Sequence, residues 1–78
     1  MMTIPLTELK AGQKAKIVSL MGGRGIHRNL EVLGIRPGAV IEKISNPIRP
    51  GAVVVQVGGS QVALGYGITN KIIVEVLA

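Results

Sequence analysis

Between Gly25 and Gly38 the hydrophobic pattern has a helical period and then stops abruptly. Ile26, Leu30 and Leu33 recur at i, i+4 and i+7, the spacing of one helical face, while His27, Arg28, Asn29 and Glu31 between them are polar. This spacing predicts a short amphipathic helix, roughly Ile26 to Leu33. Gly34 follows where a helix ends in the left-handed conformation that only glycine adopts without steric cost. Ile35 is then placed to fold back on Leu30, the apolar contact of a Schellman cap. Pro37-Gly38 suits the central positions of a type II turn, because proline pre-sets φ and glycine supplies φ > 0. On this pattern Leu30, Leu33, Ile35 and Val40 are expected in the core.

Elsewhere the period is two. Ala15 to Met21 reads as a strand with Lys14 and Lys16 facing water and Ala15 and Ile17 facing inward. Ahead of it, Leu6-x-x-Leu9-x-x-Gly12 reads as a turn that tucks two leucines under the sheet. Gly22-Gly-Arg-Gly25 breaks the strand and leads into the helix. A second strand, about Ala39 to Ser45, alternates poorly, since Val40, Ile41 and Ile44 do not fit one face; a bulge or strong curvature resolves this. Asn46-Pro47 and Arg49-Pro50-Gly51 predict an irregular connection. Val53, Val55 and Val57 alternate next, Gly58-Gly59 is a two-residue hairpin link, and Val62 and Leu64 continue on the return strand. Gly65 to Lys71 reads as a loop with at most one helical turn, and Ile72 to Leu77 as a final strand with Ile72, Val74 and Val76 on one face. Five short strands with tight glycine turns and one inserted helix predict a mostly β fold, a small, partly open barrel of the SH3-like type.

Composition fits one small domain. The 78 residues include 47% hydrophobic residues but one Tyr and no Phe or Trp, so the core is built from aliphatic side chains. A chain this short buries only about 60% of the surface it exposes when unfolded, and modest stability is expected. With no cysteine, disulfides, thiolate metal sites and cysteine nucleophiles are excluded. No apolar run reaches the roughly 18 residues of a membrane span, and Pro5, Thr7, Glu8 and Lys10 interrupt the start too early for a signal peptide. A cytoplasmic, soluble protein is the expectation.

Nine Lys and Arg oppose four Glu and no Asp, a formal charge of +5. Six of the nine lie between Lys10 and Arg36, where Glu31 is the one acid. Such a bias serves solubility, or it attracts an acidic partner, an anionic lipid surface or nucleic acid.

The order of these elements resembles the FeoA family, small cytoplasmic accessory proteins of bacterial ferrous-iron transport. The likeness spans nearly the whole chain: Leu6-x-x-Leu9-x-x-Gly12, the first strand ending near Leu20, Leu30-x-x-Leu33-Gly34-Ile35-x-Pro37-Gly38, Val62-Ala-Leu64, and Ile72-x-Val74. The sequence departs from the family after Val62-Ala-Leu64. There the family often carries a basic residue and a short alanine-bearing helix, and Gly65-Tyr66-Gly67-Ile68-Thr69 stands instead. The same domain resembles the C-terminal module of iron-dependent repressors, but a repressor would need an upstream helix-turn-helix for which this sequence has no room. The resemblance implies a binding module whose partner is the cytoplasmic face of the FeoB membrane GTPase transporter, with recruitment to the inner face of the membrane through it.

The residues expected to touch that partner are Arg24, His27, Arg28 and Glu31, the basic approach and outer face of the helix. His27 and Glu31, four apart, share a face as two metal ligands would, yet two ligands hold no metal alone and no second His, Cys or Asp completes a site within one chain. Their ordinary role is a weak surface pair. No cofactor or resident metal is expected. Gly22-Gly-Arg24-Gly25 ahead of a helix would suit an anion, but it lacks the Gly-Lys-Ser/Thr of a phosphate loop and more commonly serves a sharp strand-to-helix turn. Arg24 or Arg28 acting as an arginine finger on the GTPase is a further expectation to test. Catalysis by the chain itself is not expected, with one His and four Glu scattered at 8, 31, 42 and 75. The rival from another class is RNA binding by a basic barrel: Gly12 to Val18 followed by Gly22 suits phosphate contacts. Base stacking, however, would have Tyr66 alone among aromatic residues, and no nucleic acid is expected.

Overall fold

In the computed structural model, which describes residues 2–45 and 52–77, the chain forms a six-stranded antiparallel sheet with one two-turn helix inserted after its second strand. The elements are β1 (Thr3–Pro5), a 3-10 turn (Leu6–Glu8), β2 (Lys14–Leu20), α1 (Arg24–Val32), β3 (Val40–Ser45), β4 (Ala52–Val57), β5 (Ser60–Gly65), α2 (Tyr66–Thr69) and β6 (Ile72–Val76). The strand order is β1-β6-β2-β3-β4-β5, so β1 and β5 are the free edges and the sheet stays open. The mostly β, partly open fold is the one expected. β1 is an addition: three residues ending in proline carry too little pattern to read as a strand, and pairing of Thr3, Ile4 and Pro5 with Glu75, Val74 and Ile73 decides it. The connection over 46–51 lies outside the described residues.

One core fills the concave face. It contains Leu6, Leu9, Ala15, Ile17, Leu30, Ile35, Ile41, Val53, Val55, Leu64, Ile72 and Val74. The 3-10 turn buries Leu6 and Leu9 together, as its leucine spacing predicts. β2 alternates as expected, with Lys14 and Lys16 outward and Ala15 and Ile17 inward. The Gly58-Gly59 link closes the β4–β5 hairpin directly, pairing Val57 with Ser60.

The helix cap follows the sequence closely. Leu33 is the C-cap; Gly34 adopts φ 87°, its N–H donates to the Glu31 carbonyl (2.9 Å), and the Ile35 N–H donates to the Leu30 carbonyl (2.8 Å). Those two bonds are the Schellman pattern. Arg36 to Ala39 then make the expected turn, with Gly38 at φ 95° and the Ala39 N–H on the Arg36 carbonyl (3.0 Å).

Two core assignments are corrected. Leu33 is 44% exposed, not buried. The cap carries Ile35 back against Leu30, and Ile35 takes the inward place that helical spacing alone assigns to Leu33. Val40 is 50% exposed. It stands opposite Lys16 on the convex face, while Ile41 stands opposite Ala15 on the concave one. In a period-two element a one-residue offset moves a side chain to the other face. The strand's poor alternation is resolved by the expected irregularity: the β3–β4 register shifts between Lys43 and Ser45, leaving Ile44 unpaired, and β2 shifts likewise at Val18. Such bulges increase bend and twist.

Alternation from Ile41 also turns Lys43 inward, where only 5% of it is exposed. Its Nζ donates to the Leu9 carbonyl at 2.7 Å, its N–H donates to the Gln13 carbonyl at 3.0 Å, and its carbonyl accepts from the Gly12 N–H at 2.6 Å. The segment between the 3-10 turn and β2 is thereby fastened to β3 through both backbone and side chain.

These contacts rank the effects of substitution on urea or thermal unfolding. Leu30→Ala is expected to cost about 2–5 kcal/mol, as for a fully buried leucine, whereas Leu33→Ala should cost under about 1 kcal/mol because much of its side chain stays wet. Gly34→Ala should cost at least about 1–2 kcal/mol from the left-handed backbone, and its new methyl would also meet Val57 Cγ1 at 3.2 Å. Lys43→Met keeps the apolar stem but orphans the Leu9 carbonyl, an expected loss of about 1–3 kcal/mol.

Candidate functional site

The sequence-predicted contact residues are all on α1. Arg24 opens it, two residues earlier in the chain than the apolar period indicates, since a first turn needs no inward residue. The N-cap is Gly23, with no side-chain cap, and the first turn carries no acid. The helix therefore starts with unneutralised N–H groups and basic residues, which gives this end a positive potential.

His27, Arg28 and Glu31 do not share one environment. Arg28 and Glu31 are exposed, one turn apart, and available to a partner. His27 is half-buried, and its Nε2 is fully buried with no hydrogen-bond partner among the described residues. That nitrogen is buried whereas Glu31 is exposed, so the two side chains do not offer one open face at this atom. Among the described residues no three of His, Cys, Asp and Glu group closely enough to hold a metal ion.

Tertiary structure adds Lys71 to this end of the helix. The Met21 N–H donates to the Lys71 carbonyl at 2.7 Å. At Gly22 (φ 117°), a Cβ would fall 3.2 Å from Ile26 Cδ1 and 3.4 Å from Lys71 Cδ. Gly22 thus serves close packing where β2, α1 and the loop before β6 converge, the conformational role expected of such a glycine. Lys71 is 49 positions from Gly22, and no local pattern signals their proximity.

The charges elsewhere are partly balanced by register. On the convex face Lys14 stands opposite Glu42 and Lys16 opposite Glu75. Opposite charges across strands interact favourably. The basic residues without such a cross-strand acid include Arg28, Arg36 and Lys71, all exposed and all on or beside the helix. The one-turn helix α2, which occupies the stretch where the sequence departs from the resembled family, packs on β4, β5 and the 3-10 turn. Thr7 Oγ1 donates to Asn70 Oδ1 at 3.3 Å, across the same junction. This arrangement offers charge and shape for binding.

Comparison with known proteins agrees with the architecture. The family model described as the FeoA domain matches residues 4–76. A Methanocaldococcus jannaschii protein named as a candidate Fe(2+) transport protein A is 32% identical over 71 residues, covering 91% of this chain and 84% of that one. Among solved structures, the crystal structure of an iron uptake regulatory protein (FeoA) superposes with a TM-score of 0.88 at 31% identity, covering 97% of this chain and 100% of the other. A manganese-dependent transcriptional repressor also superposes, with a TM-score of 0.87 over 96% of this chain and 42% of the repressor, but at 17% identity the likeness is one of fold. Sequence motif, topology and helix cap converge on one assignment: the chain belongs to the FeoA family.

Proposed function

We propose that this chain is a non-catalytic accessory protein of ferrous-iron uptake that binds the cytoplasmic part of a FeoB-type membrane GTPase transporter. Membership of the FeoA family across residues 4–76 carries the reading, supported by a relative whose name refers to Fe(2+) transport. A fold alone would not, since small barrels host many functions. No described helix is long and apolar enough to cross a membrane; the chain meets the membrane through its partner, from the cytoplasmic side.

Arg24, Arg28 and Glu31 supply the polar contacts in this reading, with half-buried His27 beside them. A short helix held by its cap on a β scaffold presents these groups at fixed spacing, which limits the ordering cost of binding. Positive charge near the helix start also speeds encounter with an acidic surface, more strongly at low salt.

Titration of the labelled full chain with the cytosolic part of the transporter tests this, with RNA in parallel. The expected result is saturable binding to the former, weakened about fivefold or more by Arg28→Ala or Glu31→Ala. GTP turnover by the transporter, measured with and without the chain and with Arg24→Ala, tests the arginine-finger role. Binding to RNA alone, sequence-blind and falling steeply with salt, would replace the proposal with the nucleic-acid reading.

A further inference from the structure

The sheet ends in two free edges, and they differ. β1 is three residues long and closes with Pro5, so it offers little to another strand. β5 is the opposite case. Its six residues pair with β4 in unbroken register, with no bulge and no proline. From Ala52 to Asn70, which includes the whole β4–β5 hairpin, no residue is charged. Edge strands of natural sheets carry charges, prolines or bulges that stop a neighbour from adding to them. This one carries none.

The hairpin turn fixes which backbone groups of β5 face outward. Gly58 has φ 58° in the first of the two central positions, the II′ arrangement, and Val57 and Ser60 close the link. A closing pair of this kind exchanges both of its backbone hydrogen bonds, and bonded and non-bonded pairs alternate from there. Val62 opposite Val55 and Leu64 opposite Val53 therefore bond inward to β4. Gln61 opposite Gln56 and Ala63 opposite Val54 turn their N–H and C=O groups to the free edge. Both residues are exposed, and among the described residues no backbone bond reaches them from elsewhere in the chain.

Charge and spacing select the occupant. An acidic or a basic segment would find no opposite charge on this hairpin. A second copy of β5 brings the same uncharged strand with the same spacing of outward groups. In the described sheet the nearest charged positions are on β3, two strands in. That is about 10 Å from β5, close to a Debye length at ordinary ionic strength. Edge-to-edge contact of two +5 chains thus sets no like charges opposite each other across β5.

We infer that β5 pairs antiparallel with β5 of a second copy, about a two-fold axis through Val62. Gln61 of each copy then exchanges backbone hydrogen bonds with Ala63 of the other, which uses both free positions. The two Val62 side chains, already packed against the core, meet across the axis. Gly65 stays outside the pairing because α2 begins directly after it. A two-fold contact closes on itself, so assembly ends at a dimer. One strand from each copy makes a small interface, and the dimer forms at high concentration. The inference goes beyond the proposed role and does not depend on the transporter.

Sedimentation equilibrium of the full chain from about 10 μM to about 1 mM, with amide spectra over the same range, tests it. A monomer should give way to a dimer, with the largest amide shifts at residues 60–64. Ala63→Lys places a charge on the edge and should weaken association about tenfold or more. Ala63→Pro removes a donor that β4 does not use and should do the same. Ala63 is exposed, so the lysine variant should keep the wild-type unfolding midpoint at low concentration. The chain has no cysteine, and directly opposed non-bonded positions lie within disulfide reach. Mild oxidation of Val62→Cys should therefore give a covalent dimer, which Met2→Cys beside β1 should not. A chain that is monomeric throughout, a dimer that keeps its affinity in both Ala63 variants, or a Met2→Cys dimer formed as readily as that of Val62→Cys overturns the inference. So does protection of the Gln61 and Ala63 amides by the cytosolic part of the transporter without self-association, which would give this edge to a different chain.

Discussion

The hydrogen bond from the Ile35 N–H to the Leu30 carbonyl is the constraint on which the arrangement of this molecule turns. It forms only because Gly34 enters the left-handed region, which costs a residue with a side chain about 1–2 kcal/mol. The reversal puts Ile35 under the helix and ejects Leu33 to the rim. It also delivers Pro37-Gly38 to β2, where the Gly38 N–H donates to the Ile17 carbonyl and the Ile17 N–H to the Ala39 carbonyl, both at 2.8 Å. Those two bonds continue the β2–β3 ladder and so set which residues of β3 face in. One cap therefore governs the core under the helix and the surface beside it.

A sheet that curls round a small core must bend its strands, and this one does so at Val18 and Ile44. The second bulge sits next to Lys43, whose amine reaches the Leu9 carbonyl inside the molecule. An unpaired carbonyl at that depth would be costly, and the lysine satisfies it while its stem fills apolar space. The N-terminal turn is joined to the barrel through this contact as well as through Leu6 and Leu9.

The scaffold leaves two different surfaces on one helix. Its N-terminal end, with Arg28, Lys71 and the uncapped N–H groups, is polar and positive; its C-terminal end leaves Val32 and Leu33 exposed. Neither holds a cluster of titratable groups suited to bond making. Both suit recognition, in keeping with the accessory role proposed for a member of the FeoA family, and nothing requires one partner segment to use both ends.

Much of the fold was legible because its signals are local. The leucine spacing, Gly34, Pro37-Gly38, Gly58-Gly59 and the alternating valines each act over a few residues, and backbone sterics and side-chain period translate them directly into helix, cap, turn and strand. The family motif was legible for the same reason, since it is the cap and turn written in sequence. Long-range pairing decided the rest. β1 exists because β6 offers it a partner; Val40 faces out and Lys43 in because β2 imposes its register; Leu33 yields its place to Ile35 because the core has room for one of them. Arg28 and Glu31 were readable as exposed from helical spacing, but the burial of His27 Nε2 and the approach of Lys71 to Gly22 depend on residues far apart in the chain. Sequence by itself determined the elements and their caps, which need only neighbours; tertiary structure alone decided which side chains meet, because that depends on how the sheet closes over a core too small to hold every apolar residue.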